Sequence, residues 1–224
     1  MKNILPVLLG VLLVLAAAGA PAADDVGLVN QLVGDVTYRV PGAAAARTTA
    51  FMKVRDGDNF RLSAGARVRL VYFDGGRQEL WEGPAEFNAG RKQGVAVSGK
   101  ATVTQLPGAA PQALAQTPEL LQIVKAGRPG AVTVRGLKPG ISAEQNAAIQ
   151  QARDDYKSMS VNAAADDVTP ELYLLNVLRQ YSLHDEMKPL AARMLAKQPA
   201  QQEVRDIAAW VNGLGGAGVG ARKE

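Results

Sequence analysis

The sequence predicts an α+β chain of segregated modules. An all-β N-terminal domain, a sandwich or a short coil of strands, precedes a small all-α helical-hairpin domain. Three observations carry this reading. From Val26 to about Leu106 the apolar residues recur with a period near two, with turn residues between the runs. From Ser142 onward the spacing becomes helical. Between the two regions, residues 106–118 (LPGAAPQALAQTP) hold three Pro and few charges, the composition of a linker.

Taken in order, residues 1–22 are set aside as an export signal. Lys2 supplies a short positive region, Ile4 to Ala18 an apolar one, and Ala20-Pro21-Ala22 the small-x-small cleavage pattern. Cleavage after Ala22 leaves a mature chain starting at Ala23, soluble in the periplasm and without stable membrane insertion. The candidate strands of the β-domain (residues 23–107) are 26–32, 35–40, 51–54, 60–62, 66–73, 77–82, 94–97 and 101–106. In 66–73, Val68, Leu70 and Tyr72 alternate with Arg67, Arg69 and Val71, the pattern of a half-buried strand. Asp74-Gly75-Gly76 tolerates positive φ and predicts a hairpin into Arg77–Glu82. Pro41–Ala46 has neither period and predicts an exposed loop.

Residues 108–141 are expected to be a Pro/Gly-rich linker carrying one short helix and one strand. Thr117-Pro118-Glu119 starts the helix, with Thr as N-cap and Pro at the first helical position, and Gly127 stops it. The strand is Ala131–Arg135. In the helical domain (142–213), Ser142 and Gln145 form a capping box for a helix to about Met159, and Thr169-Pro170-Glu171 opens the next. Met187, Leu190, Ala191, Met194 and Leu195 make a full amphipathic stripe, repeated by Val204, Ile207, Ala208 and Val211. Residues 214–224 are expected to form a flexible tail.

Composition excludes much chemistry. The chain of 224 residues has no Cys and one His, which removes disulfides, thiolate nucleophiles, Cys-ligated zinc and most triads. Ala supplies 38 residues and aromatics only 11, so the core is built from Val, Leu and Ala. The formal charge of +4 is interspersed, without the concentrated cationic stripe that nucleic-acid binding uses. No cofactor is expected.

Several residue groups are weighed as sites. Gly213-x-Gly215-x-x-Gly218 spells a dinucleotide fingerprint but follows a helix rather than a strand. Asp56-Gly57-Asp58-Asn59 lacks the remaining oxygen ligands of a calcium loop, which favours a turn. Asp154-Asp155 and Asp166-Asp167 are adjacent pairs, unable to act as an acid/base couple unaided. The second belongs to the approach to Thr169. His184 is expected on the surface between helices, and Trp210 between the last helix and its neighbour. Trp81, beside Arg77 and Glu79, is the one candidate binding surface, a stacking platform for a sugar or peptide; the alternative reading puts Trp81 at the core edge. An envelope glycosidase would draw on Asp74, Glu79, Glu82 or Glu86.

The stretch Gly27 to Leu106 resembles the FecR domain. The residues that carry the resemblance are Val33-Gly34-Asp35-Val36, VRDGDNF from Val54 to Phe60, and LSAGARVRLVYFDGG from Leu62 to Gly76. The likeness implies an extracytoplasmic sensing or binding module. A cleavable signal directly before it leaves no cytoplasmic segment for a sigma factor, so the anti-sigma role of the best-known members is not implied. Leu172 to Pro199 is similar to a tetratricopeptide-type hairpin, departing from it at Leu175 and Met187 where small residues are usual. Together these imply a noncatalytic periplasmic protein that binds, scaffolds or senses. Its expected partner is an envelope protein or a cell-wall component. The alternative is a carbohydrate-active enzyme or a regulator of an inner-membrane signalling protein.

Overall fold

The computed structural model describes residues 24–127 and 140–214. The export signal, the strand expected at 131–135 and the tail beyond Leu214 lie outside the described residues. Among the described residues ten strands form two antiparallel five-stranded sheets, followed by six helices, so the α+β arrangement holds. The first sheet runs β10 (Ala101–Gln105), β7 (Arg77–Glu82), β6 (Arg67–Tyr72), β1 (Asp25–Val33), β4 (Lys53–Arg55). The second runs β3 (Ala46–Arg47), β2 (Val36–Arg39), β5 (Asn59–Leu62), β8 (Ala85–Ala89), β9 (Gly94–Ser98). Of these, β8 and the two-residue β3 are not among the expected strands, and the loop expected over Pro41–Ala46 gives up Ala46 to β3. Ala85, Phe87 and Ala89 do alternate inward against Glu86 and Asn88, but two of the three are too small to register as a run.

The two sheets close on a shared core of Val29, Val36, Val54, Phe60, Leu62, Val68, Leu70, Tyr72, Trp81 and Phe87. Trp81 stacks on Phe87 with centroids 4.2 Å apart, and Phe87 on Phe60 at 5.1 Å. The opposite face of the first sheet carries a second core. There Leu28, Phe51 and Val71 pack in one continuous cluster with residues from every helix. The expectation of a half-buried β6 is therefore corrected: Arg69 and Val71 are buried as fully as Val68 and Leu70, because helices cover the face that sequence alternation assigned to water.

The expected linker is corrected in part. The short helix expected between Thr117 and Gly127 is present as α2 (Thr117–Lys125), but an unexpected α1 (Ala110–Leu114) precedes it, and Leu114, Leu120 and Leu121 are buried in the helical core. Pro111 and Pro118 are the second residues of their helices, where a missing N–H costs no intrahelical bond. The expected Thr117 cap is corrected: Gln116 takes the cap position and Thr117 is the first helical residue, while Pro111, read as linker punctuation, lies in a helix start. Gly127 takes φ +61° just after α2, as a stop residue does.

Ser142 Oγ accepts from the Gln145 N–H at 3.1 Å, and the Gln145 side chain accepts from the Ser142 N–H at 2.9 Å. The expected capping box opens α3 (Ala143–Asn162). The remaining helices are α4 (Thr169–Gln180), α5 (His184–Lys197) and α6 (Gln202–Gly213). The helix α4 packs against both α3 and α5, and α6 against α5. The stripe of α5 turns Met187, Leu190, Ala191 and Met194 inward, while Leu195 is left 37% exposed. Among the described residues no helix is long and apolar enough to cross a membrane.

Candidate functional site

A cleft of about 250 Å³ opens where the helical layer meets the first sheet. Its floor is Arg69 of β6, Gln78 and Leu80 of β7, and Thr102 and Thr104 of β10. Its roof is the C-terminal end of α3 from Ser158, with the 163–170 segment beside it. Strand alternation explains the floor. Gln78 and Leu80 point to the helices because Glu79 and Trp81 point into the sandwich, and Thr102 pairs with Leu80 across the β7–β10 ladder.

The inner wall of the cleft is a buried polar network around Thr169. Its hydroxyl accepts from the Asn30 side-chain amide and, at 2.9 Å, from the Gln78 amide. It donates in turn to Asp167 Oδ1, which also accepts the Thr169 backbone N–H at 2.9 Å. Thr104 Oγ1 donates to Gln78 Oε1 at 2.9 Å. Arg69 Nη1 lies 3.0 Å from Asp167 Oδ1 with both side chains buried, although the approach is too oblique for an aligned hydrogen bond. Arg67, two residues away on the same face, reaches Asp166 at 3.2 Å. Lys197 of α5 donates to the Asp167 carbonyl at 2.9 Å and to the buried Glu171 carboxylate at 2.8 Å.

A register irregularity between Val29 and Gln31 shapes the sheet side. A bulge sets two consecutive residues against one on the neighbouring strand, so Asn30 and Gln31 both reach the helices, Gln31 to the Asp166 carbonyl at 3.4 Å. The side-chain carbonyl oxygen of each amide, Asn30 Oδ1 and Gln31 Oε1, is buried without a hydrogen-bond partner.

The proposed stacking platform is corrected. Trp81 is 2% exposed and Glu79 fully buried, both inside the sandwich, so the alternative reading of Trp81 stands. Glu79 accepts from Trp81 Nε1 at 3.0 Å, from Arg77 Nε at 2.6 Å and from the Gly94 N–H at 3.0 Å. A Cβ on Gly94 would stand 2.7 Å from Glu79 Oε2, so only Gly lets β9 approach. Arg77 is partly exposed but is committed to Glu79.

The other carboxylates do not meet. Asp74 pairs with Lys92 at 3.1 Å in a turn, and Glu86 with Arg61 at 3.0 Å on the outside of the second sheet. Hydrogen bonds from Asn59 and Arg61 hold Glu86 below the usual carboxylate range. Glu82 is exposed at the end of β7. Asp56 reaches Arg91, Asp58 accepts the Arg55 N–H, and Asn59 donates to Glu86 and Asn88, so Asp56–Asn59 is a turn about Gly57, whose φ is +89°. Asp154 pairs with Lys157, and Asp155 accepts from the Tyr173 hydroxyl, whose pKa is raised by burial and by that carboxylate. His184 is the first residue of α5 rather than a loop residue. Trp210 packs partly buried against the helical core. Gly215 and Gly218 lie outside the described residues. Among the described residues no three His, Cys, Asp or Glu side chains gather closely enough to hold a metal ion.

Sequence reasoning missed Asn30, Gln31, Arg69, Gln78 and Thr104. The available clue was the pair of oppositely charged doublets, Arg67/Arg69 and Asp166-Asp167, whose meeting only the fold supplies. No family model matches the chain, and neither does any curated protein or solved structure.

Proposed function

We propose that the chain is a noncatalytic periplasmic binding or scaffolding protein, built on a FecR-like sandwich and presenting the cleft between β10 and α3 to an envelope partner. One observation carries the reading: the Thr169 network ties the helical layer to the sheet on one side of a cleft whose lining mixes apolar Leu80, Leu106 and Met159 with the polar Thr102, Thr104 and Gln105. A concave, largely apolar lining with a few fixed polar groups suits a short segment that buries side chains and is oriented by hydrogen bonds. The FecR-like part is supported by the places its Gly residues take, since Gly34, Gly57, Gly75 and Gly76 all sit in turns at positive φ. The noncatalytic part is supported by the carboxylates. Glu79 is paired with Arg77 inside the sandwich, Asp74 with Lys92 in a turn and Glu86 with Arg61 on the second sheet, so these three do not converge as the glycosidase alternative requires.

Purified protein tested for binding to peptidoglycan fragments, and as bait in cross-linked envelope extracts, addresses this reading. Saturable binding lost on Thr102→Arg, which fills the cleft, is expected. Turnover of the fragments, lost on Glu82→Gln, would replace the reading with an enzyme. N-terminal sequencing of the periplasmic fraction should begin Ala23-Asp24-Asp25.

A further inference from the structure

The four strands that end the two sheets are of two kinds. On one side stand β4, three residues long with Lys53 and Arg55 both paired to Asp25, and β3, only two residues long. Short length and charge keep a sheet edge from recruiting another strand. On the other side stand β9 and β10, five residues each, and neither contains a charged residue or a Pro. Their sequences, GVAVS and ATVTQ, are rich in the β-branched residues that favour pairing. Val95, Val97 and Val103 are 58, 60 and 44% exposed, and they are half of the six large hydrophobics exposed among the described residues. Among the described residues, one end of the sandwich is guarded and the other is open on both layers.

We infer that this open end is the interface of a homodimer. It goes beyond the cleft reading and does not depend on what fills the cleft. A two-fold axis normal to the sheets would pair β10 antiparallel with β10 of a second copy and bring the two β9 edges alongside each other. Both sheets would then run on from one copy into the next.

The β10 sequence is self-complementary in that arrangement. Pairing centred on Val103 sets Val103 against Val103 of the second copy and Thr102 against Thr104, both favourable cross-strand pairs. An isologous contact of this kind closes, which edge pairing with an unrelated register does not. Lys100 in the connecting turn is the only charge between Gln93 and Gln105, so little repulsion opposes the approach. Ten strand residues a side, covering about 50 Å² each, give roughly 1,000 Å² in total, the lower bound for a specific interface. That area implies a weak dimer with a micromolar Kd. Because Thr102 and Thr104 line the cleft, the dimer would set the two clefts side by side along one sheet face, making a longer groove.

Sedimentation equilibrium and light scattering on the whole purified chain test this. The expected result is a reversible monomer–dimer equilibrium. Val103→Lys and Val103→Glu should each be monomeric, because each sets like charges opposite one another. Their equimolar mixture should recover the dimer, which only self-pairing at position 103 explains. Hydrogen exchange on the unaltered chain supplies a reading without variants: amides of 94–98 and 101–105 should gain protection as concentration rises. A chain that stays monomeric through about 0.5 mM, where even a weak contact would register, overturns the inference. So does a dimer that Val103→Lys leaves intact, or one whose concentration-dependent protection falls elsewhere.

Discussion

The two faces of the first sheet are built from the same strands and are closed by opposite means. Toward the second sheet, Val29, Val68, Leu70, Tyr72 and Trp81 meet an apolar surface, and the one carboxylate there, Glu79, has donors from three directions. Toward the helices, Leu28 and Val71 are apolar, but Asn30, Gln31, Arg69 and Gln78 replace hydrocarbon over the rest of the face. Apolar closure is non-directional and tolerates sliding, whereas hydrogen bonds to Thr169 and Asp167 fix one placement of the helical layer. Both faces bury apolar side chains, but only the helix face adds a set of directional bonds that fixes where its cover sits.

The sharpest attempt to break that comparison removes the helices. A fragment of residues 24–107 would expose Leu28, Phe51 and Val71, each worth ~1.5–3 kcal/mol when buried, a total comparable to the stability of a small domain. It should aggregate or melt without cooperativity in calorimetry, while the whole chain melts as one unit. A soluble fragment with a sharp melt would show that the helical face is dispensable.

Next in size is the buried ion pair. Arg69→Met leaves the Asp167 carboxylate buried without its cation and should cost ~3–5 kcal/mol in urea unfolding. The double variant with Asp167→Leu should recover part of that loss, since two apolar groups leave no charge uncompensated. If the single and double variants are equally unstable, Arg69 acts through packing rather than charge.

Two matched threonines grade the network. Thr169 receives Asn30 and Gln78 from the sheet, whereas Thr117, at the same place in the other Thr-Pro-Glu helix start, receives only Asn176. Thr169→Val should cost ~1–3 kcal/mol, because it strands the Asn30 amide and leaves the Gln78 amide only its longer contact to Asp167, and Thr117→Val about half as much. Equal costs would mean that the layer junction has no special standing over an ordinary helix contact.

The smallest effect belongs to the sandwich and is read by pH. Burial pushes the Asp58 carboxyl above its ordinary value, only partly offset by the Arg55 amide and charge, and its Oδ1 is buried without a partner. As pH rises from the ordinary carboxylate value, the unfolded chain releases this proton first, so stability falls until the folded carboxyl also ionises. Below both values Asp58 contributes no pH dependence. Asp58→Asn should therefore gain on the parent chain as pH rises above the ordinary carboxylate value, measured by urea unfolding at each pH. A pH-independent difference would place the effect of Asp58 in its turn geometry instead.

Local patterns were legible wherever one residue type answers one local demand. The Ser142/Gln145 box, the Asp74-Gly75-Gly76 hairpin and the stripes of α5 and α6 need only neighbours a few positions away, so periodicity and turn chemistry found them. Pro118 was legible as part of a helix start, whereas Pro111 misled for the same local reason, since Pro ends one element and begins another with equal ease.

Tertiary structure decided the rest. Whether Arg69 faces water or a buried Asp depends on a segment almost one hundred positions later, and no spacing rule connects them. Thr169 was legible as a helix start. Its hydroxyl turned inward, however, because the β1 bulge delivers Asn30 to it, while Val168 takes the cap position. Trp81 and Glu79 read alike as a surface pair or a core pair until the second sheet closed over them. A period of two states that two faces differ, and only the packing of the layers states what each face meets.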